Sequence, residues 1–439
     1  MVTFSPLDSA LTGPLLTTTA MQAAFSDEAR LAAMLRVEAA LARAEAAQGL
    51  APAGLAPAIE AIAPTQLDAP SIGRATALSG VPTIPFVKAV QALLPPDLER
   101  AFHNGATTQD ILDTALVLQC RDALALLESD LFATIAGFKA MARRHRTTPC
   151  VGRTYGQHAA PLTFGYKAAI WSAGITDAAD RLPAMRLMLL VASLAGPVGT
   201  LAALRDRGPA VLASFADELG LGITPIAWHT RRARIAEAGA WLAILIGTLA
   251  KVATDIAHLA STEVAEVAEP YVPGRGGSSA MPHKRNPVSC TVILAAHAAA
   301  PGLAATLLTT MAAAHERPAG LWHAEWHALP ALFGLAAGAL HGARTLAEGL
   351  EIDPARMRAN IDTTNGLLFA DAAAALLTPT LGREAAHQAV EHAAAEVRRS
   401  GRPLIEILAP HGIDLSPAFD LSPAIAAAAT WVDRVAPPA

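Results

Sequence analysis

The loop at residues 274–287 carries side chains whose types and spacing could do chemistry. It contains the adjacent glycines Gly276 and Gly277, which cost conformational entropy and suit places where the backbone must flex or approach a ligand closely. The polar side chains that follow are those of Ser278, Ser279, Lys284, Arg285 and Asn286. Hydroxyls, cations and an amide on one such loop suit a small polyanionic substrate, whereas a solvated basic surface loop is the plain alternative.

A second polar group precedes the apolar run that begins at Ile111. Thr107 and Asp110 have the spacing of a capping box, so the sequence predicts that a helix starts here. A helix N-terminus exposes free N–H groups and a positive dipole end, which makes it a ready site for a carboxylate. Thr107, Thr108 and Gln109 would add hydrogen bonds from their side chains to such a ligand, although capping alone explains the spacing.

Composition indicates a large helical protein that forms oligomers. The chain has 439 residues, of which 53% are hydrophobic and 16% are charged, with a mean hydropathy of +0.36. Much of this apolarity is alanine, the best helix former, and alanine lets helices approach closely. So little charge predicts that more surface is buried than one protomer can bury alone.

The same numbers argue against several classes of protein. A net charge of -5 without a lysine-rich face does not favour nucleic-acid binding. Three cysteines without C-x-x-C spacing predict neither a disulfide framework nor a zinc knuckle. The apolar run Ala238–Ala260 carries Lys251 and Asp255, which are costly at a bilayer centre. No basic segment followed by an apolar core opens the chain, and we therefore expect a cytoplasmic protein without membrane spans.

Apolar periodicity predicts an all-α protein with several very long helices. The predicted helices lie near Ala29–Gln48, from Thr107 towards Arg143, and near Thr163–Leu182, Ile235–Ala260, Val288–Thr310 and Ala328–Leu350. Shorter helices are predicted from about Glu351, and the Gly-Pro in Val191–Leu204 suggests a small hairpin. In so apolar a chain, long helices indicate a bundle shared between subunits.

The loop string G-S-S-A-M-P-H-K-R-N-P resembles the signature of the fumarase/aspartase superfamily, G-S-S-x-M-P-x-K-x-N, and matches every fixed position. The string A-T-T-Q-D around Thr108 resembles the superfamily's T-[ST]-x-D element. Gly152–Thr163 resembles its G-R-T-H-x-Q-x-A-x-P-x-T element, with one departure. This chain has Tyr155 where relatives carry histidine, and a histidine, His158, follows three places later.

Other segments resemble a narrower branch, the bacterial 3-carboxy-cis,cis-muconate cycloisomerases. They are Trp228–Glu237, Leu321–Trp326 and, over the longest block, Gly302–Gly366. Adenylosuccinate lyases share the loop string. They differ in the Trp322–Trp326 block, in the Tyr155/His158 arrangement, and in usually carrying an Arg-Tyr pair that this chain lacks near Thr17–Met21.

The resemblance implies a three-domain fold assembled as a homotetramer, in which each active site draws segments from three protomers. The domains would be an N-terminal helical domain (1–105), a central long-helix bundle carrying the signature loop (106–348) and a C-terminal helical domain (349–439). No cofactor is implied. His323 and His327 stand four residues apart around Glu325, but no third ligand follows at a zincin-like spacing, so no metal is expected.

The resemblance also implies an activity, the lactonization of a muconate by its own carboxylate. Ser279 would exchange the proton with carbon, and His158 would do acid/base work or polarise the substrate; which of the two protonates carbon stays open. The implied substrate-binding residues are Thr107, Thr108, Gln109, Lys284, Asn286, Arg153, Ser278 and Arg317. The sequence leaves open whether addition is syn or anti.

Three alternatives remain at this stage. The chain could be adenylosuccinate lyase or another fumarate-releasing lyase on the same scaffold, or a cycloisomerase that takes a sulfomuconate. It could also be a non-enzymatic scaffold, since this fold has been recruited as a lens crystallin. The complete set of Ser279, Lys284 and Asn286 argues against the last of these.

Overall fold

The structure is a computed structural model, which describes residues 5–277, 280–281 and 284–438. These residues are mainly helical. The helices are α1 (Gly13–Leu16), α2 (Thr19–Ala24), α3 (Asp27–Ala47), α4 (Leu55–Glu60), α5 (Ala69–Ser79), α6 (Thr83–Gln91), α7 (Thr108–Arg144), α8 (Phe164–Ala179), α9 (Leu182–Leu189), α10 (Gly208–Leu219), α11 (Ala233–Leu259), α12 (Val288–Thr309), α13 (Leu321–Gly349), α14 (Pro354–Asp362), α15 (Ala370–Leu381), α16 (Arg383–Ser400), α17 (Leu404–Leu408) and α18 (Ser422–Val435).

The predicted long helices are confirmed, and local chemistry explains where they begin. At α3 the Ser26 hydroxyl accepts a hydrogen bond from the amide of Ala29 at 3.1 Å, and Asp27 and Glu28 favour the positive end of the helix dipole. The 37 residues of α7 span about 55 Å at the rise of an ideal helix. α13 begins at Leu321, seven residues before the predicted start.

Short antiparallel pairs accompany the helices. β1 (Pro149–Thr154) pairs with β2 (Gln157–Thr163), and β3 (Val267–Ala268) pairs with β4 (Glu351–Ile352). The mainly helical fold is as predicted, and the β1–β2 hairpin lies where no strand was predicted from the sequence. Its two-residue turn is Tyr155-Gly156, both with positive φ, at 51° and 77°. Positive φ at both central residues is the geometry that continues the twist of a hairpin.

The predicted hairpin at Val191–Leu204 is wrong. Val191 forms only an isolated parallel bridge with Gly222, and the described residues up to Leu204 contain no strand. The backbone of this segment is instead paired with side chains of α7. Ser193 donates its amide to the Thr114 hydroxyl at 2.9 Å and accepts from that hydroxyl through its carbonyl. Side chains therefore satisfy groups that a partner strand would have satisfied.

The described residues divide into two compact units, each built from separate stretches of chain. The first unit draws on the ranges Met1–Asp130, Ala178–Leu249 and Val292–His341. The second unit draws on Leu131–Asp177, Ala250–Thr291 and Gly342–Ala439. Domain boundaries at residues 105 and 348 stay a prediction.

Each unit has its own apolar core. In the first unit α3 packs against α4 and α10, and its buried face includes Met34, Val37 and Leu41. In the second unit α15, α16 and α17 enclose a cluster that includes Leu377 and Leu404, both with no exposed surface.

Among the described helices, α11 and α12 are long and apolar enough to cross a membrane by length and composition alone. In the most apolar window of α11, 61% is buried inside the protein, as in the core helix of a globular protein. In α12 only 28% is buried, so this helix presents a largely apolar surface that the single chain leaves uncovered.

Candidate active site

Asp110 organises the start of α7 in the first unit. Its carboxylate has no exposed surface and accepts the amide of Thr107 at 3.0 Å, which is the predicted capping contact. It also accepts the amides of Ala195 and Gly196, both at 2.9 Å, and lies 2.6 Å from Nε2 of His229. One buried carboxylate thus fixes the helix start, the loop after Val191 and a histidine 119 residues away in sequence.

A second buried charge network lies one turn further along α7. The Arg232 guanidinium donates to Asp113 at 2.7 and 3.1 Å, and to Glu325 at 2.9 Å through Nε and by a shorter contact through Nη2. Each of these side chains is at most 1% exposed. Burial alone would lower the pKa of Arg232, but the two carboxylates raise it above its usual value. The Trp322 indole donates to Asp113 at 3.0 Å.

This network joins three segments that resemble motifs of the superfamily or of its narrower branch. Asp113 follows the T-T-Q-D element, Arg232 belongs to the Trp228–Glu237 run, and Glu325 belongs to the Leu321–Trp326 block. Their charged side chains bind one another inside the first unit. These charged side chains therefore join α7, the residue before α11 and α13 within the first unit.

At the partly exposed edge of the same region, Arg317 lies against the helix start. Its Nη2 donates to the Thr107 hydroxyl at 3.0 Å and to the carbonyl of Pro197 at 3.3 Å. Its Nε is buried and has no hydrogen-bond partner in the described part of the chain. Thr108 is also partly exposed beside them. The structure therefore brings Thr107, Thr108 and Arg317 together at one partly exposed edge, the Thr107–Arg317 edge.

Gln109 lies behind this edge and has no exposed surface. Its amide nitrogen donates to Asp113 at 3.1 Å and to the carbonyl of His229 at 2.9 Å. Its amide oxygen is buried without a partner among the described residues. Both donor hydrogens thus have acceptors within the protein, and a direct contact between Gln109 and substrate stays a prediction.

A group of titratable side chains that was not predicted from the sequence lies just before the helix start. His103 Nδ1 lies 2.6 Å from Glu38, and Asn104 donates to Glu45 at 3.3 Å. Glu38 and Glu45 are each 1% exposed on α3. Burial first, and then the neighbouring charge of Glu38, raise the pKa of Glu45 to about 8. The spacing of two glutamates in an apolar helix is the only feature of the sequence that could have drawn attention to them.

In the second unit the β1–β2 hairpin holds Arg153 and His158 as cross-strand partners, at a register irregularity after Gly152. Arg153 donates to Glu266 at 2.8 and 3.3 Å. Nδ1 of His158 is buried and lacks a partner among the described residues. Burial first, and then the charge of Arg153, lower the pKa of His158 below its ordinary 6.5. His158 is therefore mainly neutral at neutral pH.

The signature loop belongs to the second unit too. The backbone amide of Asn286 donates to the carbonyl of Gly276 at 2.9 Å. The Lys284 ammonium donates to the side-chain oxygen of Asn286 at 2.7 Å. Glu269 anchors the end of the loop, since it accepts the amides of Ser289 and Cys290 at 3.0 and 2.9 Å where α12 begins. The predicted residues Ser278 and Ser279 lie outside the described residues.

Two cavities of the second unit are rich in cations. One, of about 450 Å³, is lined by Lys284, Asn286, Arg275 and Arg285 of the signature loop, together with Glu269 and Tyr271. Arg285 is neutralised by Glu351, through two contacts of 2.8 Å, which leaves Lys284 as the more available cation. The other cavity, of about 440 Å³, lies beside the hairpin and is lined by Arg153, Lys167 and Lys251 among others.

No group of three or more histidine, cysteine, aspartate or glutamate side chains is placed to hold a metal ion in the described parts of the chain. His323 lies with Nε2 3.1 Å from the carbonyl of Gly80, a hydrogen bond that occupies this nitrogen.

Comparison with known proteins identifies the family of this site. A family model described as lyase matches residues 16–302, which is more than half of the chain. The chain belongs to this lyase family. The match confirms the expected membership of the fumarase/aspartase superfamily, because it includes all three motifs.

Several relatives within this family are similar over nearly the whole chain. 3-Carboxy-cis,cis-muconate cycloisomerase of Pseudomonas aeruginosa is 45% identical, over 94% of this chain and 93% of the relative. Nitrosuccinate lyase of Streptomyces davaonensis is 43% identical, over 92% and 87%. The crystal structure of the 3-carboxy-cis,cis-muconate lactonizing enzyme from Pseudomonas putida matches with a TM-score of 0.93 and 42% identity, over 98% of both chains.

Replacing Arg232 by Met should lower the free energy of unfolding by about 3–5 kcal/mol, because Asp113 and Glu325 would be left buried without their counter-charge. Chemical denaturation followed by circular dichroism measures the change. The control is Arg399→Met, which breaks a pair with Glu396 in which the arginine side chain is 78% exposed. The control should change stability by less than about 1 kcal/mol. Equal effects of the two substitutions would contradict the structural role of Arg232.

Glu45→Gln should make the melting temperature less sensitive to pH. A carboxyl group whose pKa is raised from 4.5 to about 8 on folding stabilises the protein fully below pH 4.5, and this stability is lost as pH rises through about 8. The variant, compared with the wild type, should therefore gain in melting temperature between pH 6 and pH 9. The exposed Glu28→Gln on the same helix is the control. A difference that stays constant with pH would contradict a protonated Glu45.

Proposed function

We propose that this chain converts 3-carboxy-cis,cis-muconate to 4-carboxymuconolactone. The observation that carries this proposal is its likeness, over nearly the full length, to a cycloisomerase at 45% identity and to a solved lactonizing enzyme at a TM-score of 0.93. The cation-rich cavities and the Thr107–Arg317 edge suit a substrate with several carboxylates.

The reaction needs no external nucleophile. A carboxylate oxygen of the substrate attacks the conjugated diene, the new C–O bond closes the lactone, and the displaced electron pair moves to the carbon next to another carboxylate. Electrostatic stabilisation of the resulting aci-carboxylate is the main task of the protein. One proton is then delivered to that carbon, so a trianion and one proton give a dianion. Holding an intramolecular nucleophile in place supplies up to roughly 7–11 kcal/mol.

The proposed binding residues supply the charge for this step. We assign carboxylate binding to Lys284 and Asn286 in the signature loop, whose side chains are already paired at 2.7 Å. In the first unit Thr107 and Arg317 offer a hydroxyl and a buried Nε without a partner among the described residues. Thr108, Gln109, Arg153 and Ser278 complete the proposed binding set.

Ser279 is the proposed proton donor to carbon, and His158 polarises the substrate as a neutral imidazole. The lowered pKa of His158 supports this division, because a histidine that is neutral at neutral pH is a poor reservoir of protons for carbon. Amides of the glycine-containing loop and the Lys284 ammonium would stabilise the Ser279 alkoxide that remains until a proton is taken up from solvent.

We further propose that the enzyme is a cytoplasmic homotetramer whose active sites are shared between protomers. The proposed residues occupy separate compact units of one chain, and α12 presents an apolar surface that is only 28% buried in its most apolar window. Packing that surface against other copies of the chain would cover it and assemble a site from several protomers.

The purified protein should consume 3-carboxy-cis,cis-muconate, with loss of the absorbance of the conjugated diene and uptake of one proton per turnover, measured with a pH indicator dye. Ser279→Ala should lower kcat at least about a hundredfold and leave the oligomer intact in light scattering. The exposed Ser400→Ala is the matched control. Turnover of adenylosuccinate, nitrosuccinate or a sulfomuconate in its place would keep the fold and overturn the substrate. Full activity of Ser279→Ala would overturn the proton donor.

The pH profile separates the two candidate proton donors. With His158 acting as a neutral base or polarising group, kcat/KM should fall as pH drops through its pKa, below 6.5, and His158→Gln should remove that acidic limb. The exposed His411→Gln should leave the profile unchanged. A kcat/KM that rises as pH falls below 6.5, and loses this rise in His158→Gln, would make His158 the acid.

A further inference from the structure

A cavity of about 200 Å³ in the first unit is lined by none of the residues assigned to the reaction. Its walls come from the described part of the first 30 residues and from the stretch of α13 between Trp326 and Gly334. Since one water molecule occupies roughly 30 Å³ of the liquid, the space holds several waters or a small organic molecule.

Arg30 lines this cavity and a second one of about 30 Å³. Its guanidinium has five N–H donors and a permanent charge. Among the residues that the structure describes, it has neither a hydrogen-bond partner nor an ion-pair partner. Burial lowers the pKa of Arg30, and the more distant charge of Asp27 offsets this only in part. Charged groups taken out of water are normally paired, so Arg30 lacks a counter-ion that its position calls for.

The hydroxyl of Thr17 is the second polar group in the wall without a partner. Thr17 is 6% exposed, and its Oγ1 has no hydrogen-bond partner among the described residues. Buried side-chain oxygens nearly always have a partner, which is a ligand or water where the protein supplies none. A ligand with an acceptor oxygen would satisfy the Thr17 hydroxyl and the Arg30 guanidinium in the same cavity.

The remaining wall combines the polar side chains of Ser5, Gln22 and His327 with an apolar surface. Met21 is 2% exposed, Phe25 packs on Phe333 with ring centroids 5.4 Å apart, and the Trp326 ring lies edge-on to Trp322 at 5.0 Å. These side chains offer a surface to an apolar body and few groups to a second charge.

We propose that this cavity binds a small monocarboxylate, with its carboxylate on Arg30 and Thr17 and its short apolar body against Met21, Phe25 and Trp326. Planar guanidinium groups pair well with carboxylates. The carboxylate of Asp8 also lines the cavity, and it is exposed. Asp8 would repel a second carboxylate on the ligand, so a monocarboxylate is favoured over a dicarboxylate. None of the residues assigned to the reaction lines this cavity, so the proposal does not depend on that assignment.

Isothermal titration of the full-length protein with sodium butyrate tests the proposal, with butyramide as the uncharged isostere and succinate as the dicarboxylate. Butyrate should bind at one site per chain, butyramide should not bind, and succinate should bind at least about tenfold more weakly. Arg30→Gln should abolish the butyrate heat, and Thr17→Val should weaken binding about fivefold. Arg36→Gln, which changes an exposed arginine on the same helix, should bind like the wild type.

Thermal melting distinguishes a variant that has lost the binding site from a variant that has failed to fold. Without ligand, Arg30→Gln should melt at or above the wild-type temperature, because it removes a half-buried charge that has no partner in the described chain. Butyrate should raise the melting temperature of the wild type and leave that of Arg30→Gln unchanged. Absence of butyrate binding to the wild type, or binding that survives in Arg30→Gln, would overturn the proposal.

Discussion

The pairing of Arg232 with Asp113 and Glu325 is the interaction on which the first unit depends. A guanidinium and two carboxylates, each at most 1% exposed, are stable out of water only while all three stay in contact. The contact ties α7, the start of α11 and the start of α13 together. Since Trp322 and Gln109 also donate to Asp113, the arrangement leaves little freedom to shift any of these helices.

The Thr107–Arg317 edge, which we propose binds a carboxylate, is built directly on this network. Asp110 lies one turn before Asp113 and fixes the helix start and the loop at Ala195 and Gly196. Thr107 and Arg317 then meet at the partly exposed edge, where the Nε of Arg317 has no hydrogen-bond partner among the described residues. Binding groups placed on rigid elements and held by buried contacts keep their geometry when a ligand arrives. In the second unit, Glu269 and Glu266 do the same for the signature loop and the hairpin.

Two arginines of the first unit show how differently one residue type can be used. Arg232 has both of its carboxylates within hydrogen-bond distance, so its role is to join helices. Arg30 is half-buried with no partner in the described chain, next to an unpaired hydroxyl. The charge of Arg30, which has no counter-charge in contact among the described residues, is the reason to expect a ligand there. In the same way, the Nε of Arg317, which lacks a hydrogen-bond partner in the described part of the chain, supports a substrate contact at the proposed active site.

The sequence by itself determined the features that depend on near neighbours along the chain. The long helices follow from apolar periodicity, the start of α7 follows from Thr107 and Asp110, and the family follows from the loop string. Only the tertiary structure decided how deeply the polar side chains are buried and which partners they have inside the protein. Gln109 is buried, Arg285 is neutralised by Glu351 from 66 residues away, and Arg153 is paired with Glu266 from 113 residues away. Such partners are brought together by packing between distant segments, and nothing in local spacing encodes that contact.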